Sequence, residues 1–124
     1  MAVPILKQGQ VLIASIQAAL SDRDLVDLRD EISAQIGRFR STGVIIDVTA
    51  LDVLDSFATR TLRSIAQTAK LRGASAVIVG IQPDVAFAMV QLGLSLEGIA
   101  TALDLEEGLA YVGDVARQAG RRVR

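Results

Sequence analysis

The sequence predicts a single α/β domain: a mixed, mainly parallel β-sheet with an N-terminal hairpin and about four helices. Three features carry this expectation. Two short runs rich in β-branched residues, VIIDV at 44–48 and ASAVIVGI at 74–81, read as buried strands. Segments with apolar residues at steps of three and four lie between and after them, as sheet-covering helices require. At the N-terminus two apolar runs flank Gln8-Gly9-Gln10, a glycine-containing hairpin turn. Strands alternating with helices imply parallel pairing through right-handed crossovers.

In chain order, 3–7 and 11–16 are the hairpin strands, and Pro4 suits a sheet edge, where a missing N–H is harmless. Ser21 opens the first helix and Asp24 completes a capping-box-like pair. Leu25, Leu28, Ile32, Ile36 and Phe39 make its apolar stripe, with Asp22, Arg23, Asp27, Arg29, Asp30 and Arg38 largely off it. After the strand at 44–48, residues 49–54 form a loop and Asp55 is the N-cap of a helix carrying Ala58, Leu62, Ile65, Ala66 and Ala69 inward. Gly73 closes that helix. Pro83 starts the next, with Val85, Ala86, Met89 and Leu92 inward and Gly93 at its end. A loop and a short strand around Gly98-Ile99-Ala100 follow. Asp104 and Glu107 cap the last helix, whose stripe is Leu105, Leu109, Val112 and Ala116. The basic tail at 120–124 is expected to fray.

Composition narrows the function classes. The chain has 124 residues, 51% of them hydrophobic and 22% charged, with a formal net charge of −1, so one folded domain spanning 1–124 is expected, with no electrostatic case for nucleic acid. No apolar run approaches the roughly 20 residues that span a bilayer, and the N-terminus lacks a signal-peptide pattern. A cytoplasmic protein is the expectation. Cysteine and histidine are absent, which removes disulfides, thiol nucleophiles, Cys-based zinc sites and the Ser-His-Asp arrangement. Neither GxxxxGK[ST] nor GxGxxG occurs. The balance moves towards a non-enzymatic binding or signalling domain without a cofactor or metal.

The one reactable group expected on a rigid element is Ser56, in the first turn of the helix that Asp55 caps, beside backbone N–H donors. Serine is also favoured there for purely structural reasons. Asp47 is a second candidate, as a phosphoacceptor aspartate, although Thr49 and Asp52 beside it make a loop-ordering role the stronger reading. Thr59 and Thr61 lie further along the helix and are weaker phosphosites. Met89 and Phe87 read as core and interface filler. A carboxylate-dependent hydrolase built on Asp47, Asp52 and Asp55 has little support.

The segment VIIDVTALDVLDSF, the helix after it, GIQPDVAFAMVQLGL and the closing ALDLEEGL together resemble the STAS domain family, which includes bacterial anti-sigma-factor antagonists. The resemblance covers essentially the whole chain and is strongest to the single-domain scaffold subgroup of the stressosome. Many other antagonists have Asp-Ser-Ser-Gly or Asp-Ser-Thr-Gly where this chain has Asp55-Ser56-Phe57-Ala58, a departure that fits that subgroup. The resemblance implies that Ser56 is the phosphoacceptor for a GHKL-type serine kinase, with Asp55, Phe57 and Thr59 as cap and partner-binding residues. It further implies a scaffold and antagonist that sequesters this kinase and releases it on phosphorylation. The implied partners are STAS domains of stressosome sensor paralogues and a serine phosphatase, in homo- and hetero-oligomers. The alternative is a small α/β phosphoacceptor or ligand-binding domain using Asp47.

Overall fold

In the computed structural model, which describes residues 3–122, strand alternation divides the interior into two cores. The elements are β1 (Ile5–Gln8), β2 (Val11–Ser15), α1 (Asp22–Phe39), β3 (Gly43–Asp47), α2 (Ser56–Leu71), β4 (Ser75–Val79), α3 (Pro83–Gln91), β5 (Ala100–Ala102) and α4 (Leu105–Arg122). Among the described residues the strands form one sheet in the order β1-β2-β3-β4-β5, antiparallel between β1 and β2 and parallel elsewhere. Leu12, Ala14, Val44, Ile46 and Ile78 point to the larger core, shared with Leu28, Ile32 and Ile36 of α1, Leu62 and Ile65 of α2, and Val85 and Met89 of α3. Ile13, Ile45, Val77 and Val79 point the other way and meet Val112 of α4. Strands buried on both faces read as continuous apolar runs, which is why VIIDV and ASAVIVGI lack polar alternation.

Local chemistry sets the boundaries. Ser21 and Asp24 form the full capping box: the Asp24 N–H donates to Ser21 Oγ (3.1 Å) and the Ser21 N–H to Asp24 Oδ2 (3.3 Å). Pro83 occupies the first turn of α3. The Glu107 N–H donates to Asp104 Oδ1 (2.9 Å) at the start of α4. α4 remains helical to Arg122, into the tail expected to fray, and 123–124 lie outside the described residues.

Three helix stripes differ from expectation. Leu105 is 36% exposed, because α4 meets the sheet through Gly108 and Val112 instead. A Cβ on Gly108 would stand 2.7 Å from Val79 Cγ1, so this glycine lets the helix backbone approach the strands closely. In α3 only Val85 and Met89 are buried. Ala86 is exposed and Leu92 is 71% exposed, since a short helix at the sheet margin reaches the core only through one i, i+4 pair. Phe87, read as filler, is 66% exposed, and Phe39 at the end of α1 is also open to solvent. The last strand forms at Ala100–Ala102, slightly later than expected.

Candidate functional site

The loop between β3 and α2 is held at several points, and each hold is traceable to a residue type. At its start the Asp47 carboxylate accepts from both the backbone N–H (2.9 Å) and the hydroxyl (2.6 Å) of Thr49. The aspartate closes a turn over its own backbone, the loop-ordering role expected of it. The Leu51 N–H donates to the Val48 carbonyl (3.0 Å), and Leu51 and Leu54 are buried in the larger core, so the loop is anchored from beneath. From the side, the Gln82 amide donates to the Thr49 carbonyl (2.7 Å). Gly80, at φ +82°, leaves room for the Thr49 side chain: a Cβ there would fall 1.9 Å from Thr49 Oγ1.

The same loop delivers α2. Asp55 is its N-cap, in extended conformation, with Oδ1 accepting from the Ala58 N–H (2.7 Å). The Asp55 carbonyl accepts from both the N–H (2.9 Å) and the hydroxyl (2.8 Å) of Thr59. Ser56 is the first helical residue and is exposed, in a first turn that holds no acidic side chain. It stands at the positive end of the helix dipole, where unsatisfied N–H groups favour negative charge. Phe57 is half-buried beside it, and Val53 projects to solvent.

The remaining candidates sit differently. Thr59 is only 1% exposed and stands behind the cap, serving the helix start rather than the surface of this chain. Thr61 is also buried, its hydroxyl donating to the Phe57 carbonyl (2.9 Å). Among the described residues no group of three or more carboxylates gathers in a way that could hold a metal, so Asp47, Asp52 and Asp55 do not converge. Sequence reasoning missed the roles of Gly80 and Gln82, although GIQP had marked the segment. The spacing of a glycine and an amide after a buried strand was the available signal.

The family profile for the STAS domain matches residues 2–108. The chain belongs to the STAS family. Among solved structures, this STAS domain is similar to a Ser-to-Glu variant of RsbS from Moorella thermoacetica, with 37% identity, 93% of this chain and 97% of that one covered, and a TM-score of 0.79. It is equally similar in sequence, at 37% identity, to a chain of the stressosome, described as a signal integration and transduction hub, covering 92% and 99% of the two chains at a TM-score of 0.75. The RsbT co-antagonist protein RsbRC of Bacillus subtilis (strain 168) is 34% identical over 76 residues. That match takes in 61% of this STAS domain and 27% of RsbRC, so the chain spans about a quarter of that relative's length. No described helix is long and apolar enough to cross a membrane.

Proposed function

We propose that this protein is a non-enzymatic scaffold of a stressosome-type complex, which sequesters a GHKL-type serine kinase and releases it when Ser56 is phosphorylated. The observation that carries the reading is the pairing of an exposed Ser56 with the Asp55 cap on α2, in a chain 37% identical to RsbS over nearly its whole length. A hydroxyl on a capped helix start is accessible without unfolding anything. A phosphate adds about −1.5 to −2 charge there and is favoured by the helix dipole while Asp52 and Asp55 oppose it. These effects nearly offset one another within the domain. Against a packed partner surface the same dianion without a counter-charge costs several kcal/mol, so the switch acts on association.

Similarity to a stressosome chain and to an RsbT co-antagonist supports STAS domains of sensor paralogues as assembly partners. The reading puts the complex in the cytoplasm and includes a serine phosphatase that resets the site. The test is incubation of the chain with the kinase and ATP, followed by phosphate mapping and a binding measurement. Acid-stable phosphate on wild type, none on Ser56→Ala, and weaker kinase binding after modification are the expected results. Undiminished incorporation in Ser56→Ala overturns the assignment. An acid-labile phosphate lost in Asp47→Asn would support the aspartyl alternative instead.

A further inference from the structure

Every charged residue within α2, SFATRTLRSIAQTAKL, is basic. Ser56, Arg60, Arg63 and Gln67 recur at steps of four, three and four, so they share one stripe on the side away from the core. Arg63 is half-buried, and its Nη1 donates to the Ser95 carbonyl (3.0 Å), which ties α2 to the segment after α3. Arg60 is exposed and, among the described residues, makes no hydrogen bond, ion pair or ring contact. Elsewhere surface arginines are paired: Arg23 with Asp27, Arg29 with Asp30 and Arg117 with Asp114. An arginine in solvent is ordinary. What sets Arg60 apart is its place four residues after Ser56.

Long side chains on a helix lean towards its N-terminus, so Arg60 covers the turn that holds Ser56. A neutral hydroxyl gives a guanidinium little reason to stay there. A phosphate at the same position does. Its oxygens accept two N–H bonds from the planar fork, and the anion lies N-terminal to the cation, the favoured order at this spacing. Two nearby carboxylates are already committed, Asp55 to the Ala58 N–H and Asp47 to Thr49. The free cation on a helix without carboxylates is complementary to an acidic partner surface.

We propose that Arg60 is the charge through which Ser56 controls its partner. In the unmodified chain Arg60 pairs with a carboxylate on the kinase. Ser56 Oγ then takes the γ-phosphoryl group of ATP, losing its proton as ADP departs. The phosphate captures Arg60 and turns its own negative charge towards the same acidic surface. This inference rests on the Ser56 reading and adds to it the acidic chemistry of the kinase surface and the residue that relays the switch.

The test installs phosphoserine at position 56 of the full chain during translation, so the modified state is made without the kinase. A phosphorus NMR titration then reads the pKa of the phosphate, which should rise by about 0.2–0.4 in Arg60→Gln, as loss of a pair at this spacing predicts. Unmodified Arg60→Gln should bind the kinase about tenfold more weakly than wild type with an unchanged melt. Phosphorylation should then weaken its binding by a smaller factor than in wild type. Arg60→Lys keeps the charge and should restore most of both effects, whereas equal losses in the two variants would assign them to packing and overturn the inference. An unchanged phosphate pKa, or undiminished kinase binding by Arg60→Gln, overturns the role of Arg60 and leaves the Ser56 reading standing if wild type still releases the kinase. Wild type whose kinase binding ignores the phosphate overturns both.

Discussion

The side-chain amide of Gln82 donates to the carbonyl oxygen of Thr49 at 2.7 Å, joining the start of α3 to the loop that leads into Ser56. This bond crosses from one strand–helix junction to the next, so it sets where the loop sits relative to the sheet. Gln82→Leu keeps the bulk and removes the donor. A loss of about 0.5–1.5 kcal/mol is expected from urea denaturation, with faster amide exchange between Thr49 and Leu54. Unaltered exchange in that loop would show that the bond does not hold it.

Gly80 constrains the same loop from below. With φ at +82° and a Cβ position 1.9 Å from Thr49 Oγ1, Gly80→Ala suffers both backbone strain and a direct clash. A destabilisation of about 2–4 kcal/mol is expected, since the two penalties act together. Thr49→Ala removes the hydroxyl and relieves part of the clash. The double variant should accordingly lose less than the sum of the single losses, and a double-mutant cycle reads the coupling directly. Additive losses would place the penalty in the backbone alone.

These two contacts also show where sequence reading reached its limit. Strands, caps and parallel order were legible because Val44 to Ile46, Ser21 with Asp24, and Asp55 each declare their structure through local pattern. The stripes of α3 and α4 were not, because spacing identifies an apolar face without saying how much sheet lies under it. Leu92 and Leu105 continue their periodic patterns past the edge of the core. Gly108 is invisible to a search for apolar spacing, yet it lets α4 approach Val79 of the sheet closely. At the site, Ser56 and Asp55 were readable as a capped helix start, whereas GIQP marks the segment of Gln82 without naming Thr49, 33 residues away, as its partner.

Asp55 offers a test of the cap apart from any partner. Asp55→Ala abolishes the bond from Ala58 N–H and should cost about 1 kcal/mol, within the usual 0.5–2 kcal/mol for N-cap loss. Asp55→Ser keeps an acceptor oxygen and should recover most of that stability. If kinase binding is lost in both variants while Asp55→Ser melts like wild type, the carboxylate contributes to the partner surface as well as to the helix. Recovery of both properties in Asp55→Ser would confine Asp55 to capping.

Ser56→Asp separates a switch at the interface from a switch in the fold. The substitution puts one negative charge at the first turn of α2, where the helix dipole favours it by about 0.3–1 kcal/mol. Arg60 lies four residues on along the same helix face and adds a few tenths of a kcal/mol at most, ~0.2–0.5, while Asp55 opposes the charge through water. Ser56 is exposed and its hydroxyl lies outside both cores, so stability should stay within about 0.5 kcal/mol of wild type. Kinase affinity should nevertheless fall by about tenfold or more, because the carboxylate must be desolvated against a surface that met a neutral hydroxyl. True phosphorylation should act more strongly, since one charge lacks the dianion's second charge and its tetrahedral oxygens. Melting temperature and kinase dissociation constant measured on the same preparation decide the matter. Weakened binding with an unchanged melt locates the switch at the interface. A large drop in melting temperature alongside lost binding would mean that Ser56 supports the fold, and the proposed release mechanism would be overturned.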